Sequence, residues 1–299
     1  MRLPAWGTLA LVLAALAAGP AQAACILRQR AEVPLRVRDG FPFIPATIGG
    51  TPVTLLLDTG AQGMLLTPDA ASALRLPTVP GPGTRLLGTG GSRVAPNVIL
   101  RGLAVGGAAV PDSIVPVAVL PGVPQLDPPL AGLLGAPLLA AYDVDLDVPR
   151  GRMALYDAKD CGAVPPPMPL PINVLRLEMT PDGEALVPVE INGQGFLALL
   201  DTGSRATMLT EQAAQRLGLA GPASANLARG VDGVGLPVRH MRVRTMRVGT
   251  DVVADASVSV SALQLGRGDM LLGFDYLGRR RTWISYRSGR VTMGAASPP

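Results

Sequence analysis

Histidine and cysteine are nearly absent from this chain: 299 residues hold one of the first, His240, and two of the second, Cys25 and Cys161. That scarcity removes whole classes of chemistry. A zinc site of the Cys/His kind lacks ligands, and no clustered carboxylate motif offers an oxygen cage for another metal. A Ser-His-Asp or Cys-His arrangement would rest on His240 alone, with no nucleophile motif around any serine or cysteine. Aromatic side chains make up 3% of the chain, too few for an aromatic-rich sugar cleft. Lysine is almost missing too, so the net charge of +4 is carried by arginine. The densest cluster is Arg279-Arg280-Arg281, with Arg287 and Arg290 following. No nucleic-acid motif accompanies it, so it reads as the solvated edge of a strand-rich unit and not as a nucleic-acid surface. Carboxylates are left as the candidate catalysts.

What is abundant is glycine and proline, 36 and 30 residues, which predicts frequent turns and short segments. Charged residues are 16% and apolar ones 48%, the balance of a folded chain and not a disordered one. The length suffices for two compact domains. At the N-terminus, Arg2 precedes an apolar run over residues 9–18, and Ala21-Gln22-Ala23 offers small residues for cleavage before Ala24. Residues 1–23 therefore read as a signal peptide. The run is short for a membrane anchor, and Gln22 stands where a lipidated cysteine would follow an apolar residue. The mature protein is expected to be periplasmic or secreted, without stable membrane insertion.

The chain repeats itself. A shift of 143 residues lays Asp39-Gly40 on Asp182-Gly183, Pro45 on Pro188, and Ile48-Gly49-Gly50 on Ile191-Asn192-Gly193. The same shift lays Leu56-Leu57-Asp58-Thr59-Gly60 on Leu199-Leu200-Asp201-Thr202-Gly203, and Leu66-Thr67 on Leu209-Thr210. Each copy closes with Leu-Leu-Gly, at residues 133–135 and 271–273, followed sixteen residues later by Gly151 or Gly289. Two lobes are predicted, 32–157 and 172–293, joined over 158–171 by a proline-rich linker. Two copies of this length are too few and too long for a solenoid or propeller.

Each lobe reads as mostly strand, with hairpins at Asp-Gly, Gly-Gly and Asn-Gly. One helix per copy is signalled by Thr67 or Thr210 as N-cap, with Pro68 or Glu211 in its first turn. An Asp-Thr-Gly on its own is a common turn. Two of them, each ending a buried apolar strand where an isolated charge is costly, are a catalytic candidate.

As a set, the paired motifs, the Leu-Leu-Gly segments and the linker resemble the aspartic peptidases of the pepsin and retropepsin clan, and bacterial exported retropepsin-like members above all. That resemblance implies an all-β protein of two similar retropepsin-like lobes related by a pseudo-twofold, each with one or two short helices. It implies one catalytic aspartate from each lobe, Asp58 and Asp201. Thr59 and Thr202 would cross-link the two loops, and the backbone at Gly60 and Gly203 would approach the carboxylates. The pepsin branch carries a tyrosine in its flap, whereas all four tyrosines here lie far from the candidate tips, which favours the retropepsin-like branch. Flap tips are expected at Gly90 and Gly91 and at Gly233, with glycine serving backbone angles that other residues resist.

The function that follows is peptide hydrolysis by a water activated between Asp58 and Asp201, without cofactor or metal. The substrate would be a peptide or protein, and the enzyme a monomer. A non-catalytic peptide-binding module on the same scaffold is the alternative. Cys25 and Cys161 both survive signal cleavage and flank the first lobe. A disulfide between them is expected, pinning that lobe's first strands to its last.

Overall fold

A computed structural model describes residues 25–162, 166–181 and 183–297. The proposed signal peptide, Pro165 of the linker and Asp182 of one turn lie outside the described residues. Each lobe is built on a hairpin whose turn pair sets the register. Strands Phe41–Ile48 and Thr51–Leu57 pair across Gly49-Gly50, with φ of 55° and 81°. Strands Ala185–Ile191 and Gln194–Leu200 pair across Asn192-Gly193, with φ of 49° and 84°. Two consecutive residues in the left-handed region are what a two-residue hairpin needs for its twist to match the strands, which is why these pairs are Gly-Gly and Asn-Gly.

The second strand of each hairpin gains a parallel neighbour on its other side. Leu130–Leu134 runs beside Thr51–Leu57, and Met270–Leu272 beside Gln194–Leu200. Both strands that lead into an aspartate are therefore central ones. Leu55, Leu56 and Leu57 are at most 4% exposed, and Ala198, Leu199 and Leu200 at most 6%. The continuous apolar run of each, without alternation, follows from burial on both faces.

Thr67 caps helix Pro68–Ala73 by accepting from Ala70 N at 3.2 Å, and Thr210 caps Glu211–Arg216 by accepting from Ala213 N at 3.1 Å. A second short helix follows each Leu-Leu-Gly, Ala136–Leu139 and Phe274–Leu277, giving two per lobe. None of the helices among the described residues is long and apolar enough to cross a membrane.

The lobes are joined by a six-stranded sheet, three strands from each. Its order is Ile26–Pro34, Arg152–Lys159, Asp143–Asp147, Arg281–Ser285, Arg290–Gly294 and Ile172–Arg176. The first strand starts ahead of residue 32 and pairs Ile26 with Lys159, so it overruns both expected edges of the first lobe. Cys25 and Cys161, bonded to each other, stand just beyond that last pair.

At the seam, Asp143–Asp147 alternates in a way the sequence analysis did not use. Val144 and Leu146 point into the core, while Asp143, Asp145 and Asp147 share the other face and are at most 6% exposed. Each is met by donors. Asp145 accepts from Arg281 Nε and Nη2, both at 2.8 Å, and from Arg152 Nη2 at 2.9 Å. Asp143 accepts from Trp283 Nε1 at 3.1 Å and Ser285 Oγ at 2.8 Å, and burial still pushes its carboxyl above the usual range. Asp147 accepts from Arg150 at 3.0 Å.

The arginine cluster is thus not the solvated edge expected from sequence. Arg281 spans the lobes, and Arg280 is 4% exposed, stacked on Tyr276 and paired with Asp251. Only Arg279, Arg287 and Arg290 of that group face solvent. Removing one partner of a buried ion pair strands the other. Arg281→Met is expected to cost about 3 kcal/mol or more in urea unfolding. Arg279→Met should stay within about 0.5 kcal/mol of wild type. Equal effects would mean that the Asp145–Arg281 pair does not tie the lobes.

Candidate active site

Asp58 and Asp201 each continue a central strand by one more ladder bond, Asp58 N to Leu134 O at 3.0 Å and Asp201 N to Leu272 O at 3.1 Å. The chain then turns, and the two turns grip each other. Thr59 Oγ1 donates to Leu200 O at 2.7 Å and accepts from Thr202 N at 3.1 Å. Thr202 Oγ1 donates to Leu57 O at 2.7 Å and accepts from Thr59 N at 3.0 Å. Both threonines are 2% exposed. A serine could supply the same hydroxyl, but threonine adds a methyl that fills this buried junction and stiffens the rotamer.

Gly60 and Gly203 are required by proximity and not by dihedral angle. A Cβ on Gly60 would lie 2.7 Å from Asp201 Cγ, and one on Gly203 would lie closer still to Asp58 Cγ. Each aspartate therefore rests over the glycine of the opposite lobe. Asp58 Oδ1 accepts from Gly60 N and Ala61 N, both at 3.0 Å, and Asp201 Oδ1 accepts from Ser204 N at 3.0 Å.

No arginine or lysine pairs with either carboxyl among the described residues. Burial is the largest influence on both and raises both above the ordinary aspartate value of 3.8. For Asp201 the negative charge of Asp58 adds to it, so this carboxyl lies well above that value. Two buried carboxyls that act on each other cannot both ionise cheaply, so the pair should keep a proton to higher pH than a lone aspartate would. Both carboxyls take backbone donors, and Asp201 is pushed up further because the charge of Asp58 adds to burial, so Asp58 is the better stabilised anion.

The two flap candidates come together. Strands Thr78–Gly88 and Gly91–Leu100 form the first hairpin, and Leu227–Arg229 and Gly235–Pro237 the second. Their tips touch. Gly90 N donates to Asp232 Oδ2 at 2.8 Å, and Gln264 N donates to Thr89 O at 2.8 Å. Asp232 also accepts from Val234 N at 2.7 Å and is 9% exposed.

The glycines differ in what they do. Gly233 has φ of 77°, as expected of a tip residue. Gly90 lies outside the left-handed region and matters instead for space, since a Cβ there would sit 2.9 Å from Val234 Cβ. Gly91 has neither constraint, its nearest neighbour being 3.8 Å from a built Cβ. Asp232 escaped the sequence reading because an aspartate between glycines looks like ordinary turn composition. His240 and Ser259 are cross-strand neighbours with Nδ1 and Oγ 3.3 Å apart, and no carboxylate orients the ring among the described residues.

The description "Aspartyl protease" belongs to the family model that matches residues 44–138 and 187–276, one match for each lobe and its aspartate. The chain belongs to the aspartyl protease family. Among solved structures, this aspartyl protease family member is similar to a retropepsin-like aspartic protease from Rickettsia conorii. The two are 16% identical, with a TM-score of 0.34, over 42% of this chain and 99% of that one. No curated protein matches the chain.

Because the tips meet through Gly90 and Asp232, filling the space at Gly90 should hold them apart. Gly90→Val is expected to lower kcat/KM on a long peptide at least about tenfold with thermal stability unchanged. Gly91→Val should act far more weakly. Equal turnover by both variants would make the hairpins surface decoration.

Proposed function

We propose that this protein is an aspartic endopeptidase that hydrolyses peptide bonds in the cleft beneath the two hairpins. The observation that carries this reading is the pair of intact Asp-Thr-Gly loops, locked to each other by Thr59 and Thr202, with both buried carboxyls pushed above the ordinary aspartate range. In the cycle, Asp58 as the anion takes a proton from a water that attacks the peptide carbonyl carbon. Asp201 gives its proton to the carbonyl oxygen, so negative charge never accumulates there. The tetrahedral species then collapses: the leaving nitrogen receives the proton held by Asp58, Asp201 takes back a proton from one of the two hydroxyls, and the pair returns to its starting state with Asp58 ionised and Asp201 protonated. No metal or covalent intermediate enters these steps.

Apolar clusters that join each hairpin to its lobe favour a peptide substrate with apolar side chains at the cut bond. Phe41, Phe43, Leu56, Leu120 and Leu133 form one cluster, against which Leu86 of the first flap and Val231 of the second pack. Leu186, Leu199, Met208 and Leu271 form its counterpart in the second lobe, with Leu236 of the second flap against it. Both aspartates come from one chain, which supports action as a monomer. The bond between Cys25 and Cys161 supports an oxidising compartment, periplasmic or extracellular. A peptide-binding module without catalysis would have no use for two carboxyls raised by burial beside each other.

Substituting either aspartate tests the reading. Asp58→Asn and Asp201→Asn are each expected to abolish cleavage of a peptide library, and the double variant to lose little more. Activity should be highest in acid and fall as rising pH removes the shared proton. The sign for stability is set by the raised carboxyl: its protonated form is favoured in the fold, so the protein loses stability as pH rises from 3.8 through the raised value. Asp201→Asn should therefore match wild type in Tm at low pH and exceed it increasingly towards neutrality. Undiminished cleavage by Asp201→Asn would end the proposal.

A further inference from the structure

The lobes repeat in sequence, but the positions flanking the dyad do not repeat in charge. Four residues past Asp58 stands Gln62, and four past Asp201 stands Arg205. Each reaches across to the opposite lobe. The Arg205 guanidinium lies 5.1 Å from the centroid of the Phe41 ring, and its methylenes pack over Gly40, where a Cβ would be 3.3 Å from Cγ and Cδ. Gln62 Nε2 donates to Glu184 Oε1 at 3.3 Å. The shift of 143 residues that carries Asp58 onto Asp201 carries Gln62 onto Arg205 and Phe41 onto Glu184. The same pair of positions thus bridges the lobes on either side of the dyad. On one side it presents a cation resting on an aromatic face, on the other an amide resting on a carboxylate.

Neither Arg205 nor Glu184 takes part in an ion pair among the described residues. Arg205 is exposed and Glu184 partly so. The guanidinium has planar donors to spare, and stacking on Phe41 restrains it, so little further side-chain order is lost when it meets a carboxylate. The carboxylate of Glu184 accepts one bond from Gln62 and has lone pairs left for a cationic side chain.

We infer that Arg205 and Glu184 are specificity-determining residues. They make the cleft polar from end to end, so that it selects peptides with an acidic side chain on one side of the cut bond and a basic one on the other. Arg205 reads the acid and Glu184 the base. The inference rests on the peptidase reading above and gives it a substrate class. A charge-assisted contact at an exposed rim is worth about three- to tenfold in kcat/KM.

The test is a peptide library with apolar residues around the cut and charge varied at each flanking position. It would be digested by wild type, Arg205→Lys, Arg205→Glu and Glu184→Gln. Wild type should favour acid on one side and base on the other by about three- to tenfold. Arg205→Lys should keep the basic preference unchanged and weaken the acidic one without inverting it. Arg205→Glu should invert the acidic preference and leave the basic one, and Glu184→Gln should erase the basic one alone. Cleavage by wild type without charge sorting, or an Arg205→Glu profile equal to wild type, would overturn the inference while leaving the peptidase reading intact. Cleavage of no peptide by wild type would sink that reading and take the inference with it.

Discussion

Four hydrogen bonds between Thr59, Thr202 and the backbone of the opposite lobe hold the two aspartates where neither would settle alone. Each bond contributes only about 1 kcal/mol net, but breaking one leaves a buried polar group unpaired, which costs about 1–3 kcal/mol. The junction is therefore stiff against sliding one lobe over the other. Stiffness is what the chemistry demands, because two carboxyls that repel when both are charged would separate if the loops could yield. The same closeness explains Gly60 and Gly203: any Cβ there would strike the other lobe's aspartate.

That junction is one of three ties between the lobes. The six-stranded sheet takes three strands from each lobe, and Arg281 of one reaches the fully buried Asp145 of the other with two donors. The hairpin tips form the third tie through Asp232, which accepts from both hairpins. The pseudo-twofold that the repeat imposes is kept by the paired Asp-Thr-Gly loops and broken by Arg205, Phe41, Gln62 and Glu184. A duplicated fold can thus keep two matching loops at its centre and still place unlike groups on either side of them.

How much of this was readable beforehand follows from range. The dyad, the hairpin turns at Gly49-Gly50 and Asn192-Gly193, and the caps at Thr67 and Thr210 are patterns of a few residues, and the repeat displays each twice. Arg281, which crosses to Asp145, and Gly90, which donates to Asp232, lie more than a hundred residues from those aspartates, and no local composition announces either contact. Arg280 and Arg281 looked like solvated charge because their aspartates, Asp251 and Asp145, come from distant strands. Gly90 was expected to serve a backbone angle, whereas the structure uses its lack of a side chain, a property of the neighbour and not of the turn.

The account stands on one proton held between two carboxyls, and titration followed through the carboxyl carbons of Asp58 and Asp201 reads it directly. With 13C-labelled aspartate and the two Asn variants for assignment, the Asp201 signal should remain protonated well past the ordinary value of 3.8, losing its proton only as the pair becomes doubly charged. Replacing Asp58 by Asn should draw the Asp201 transition downward, because a charge that opposed its ionisation is gone. Two carboxyls titrating together near 3.8, each indifferent to the loss of the other, would contradict the account.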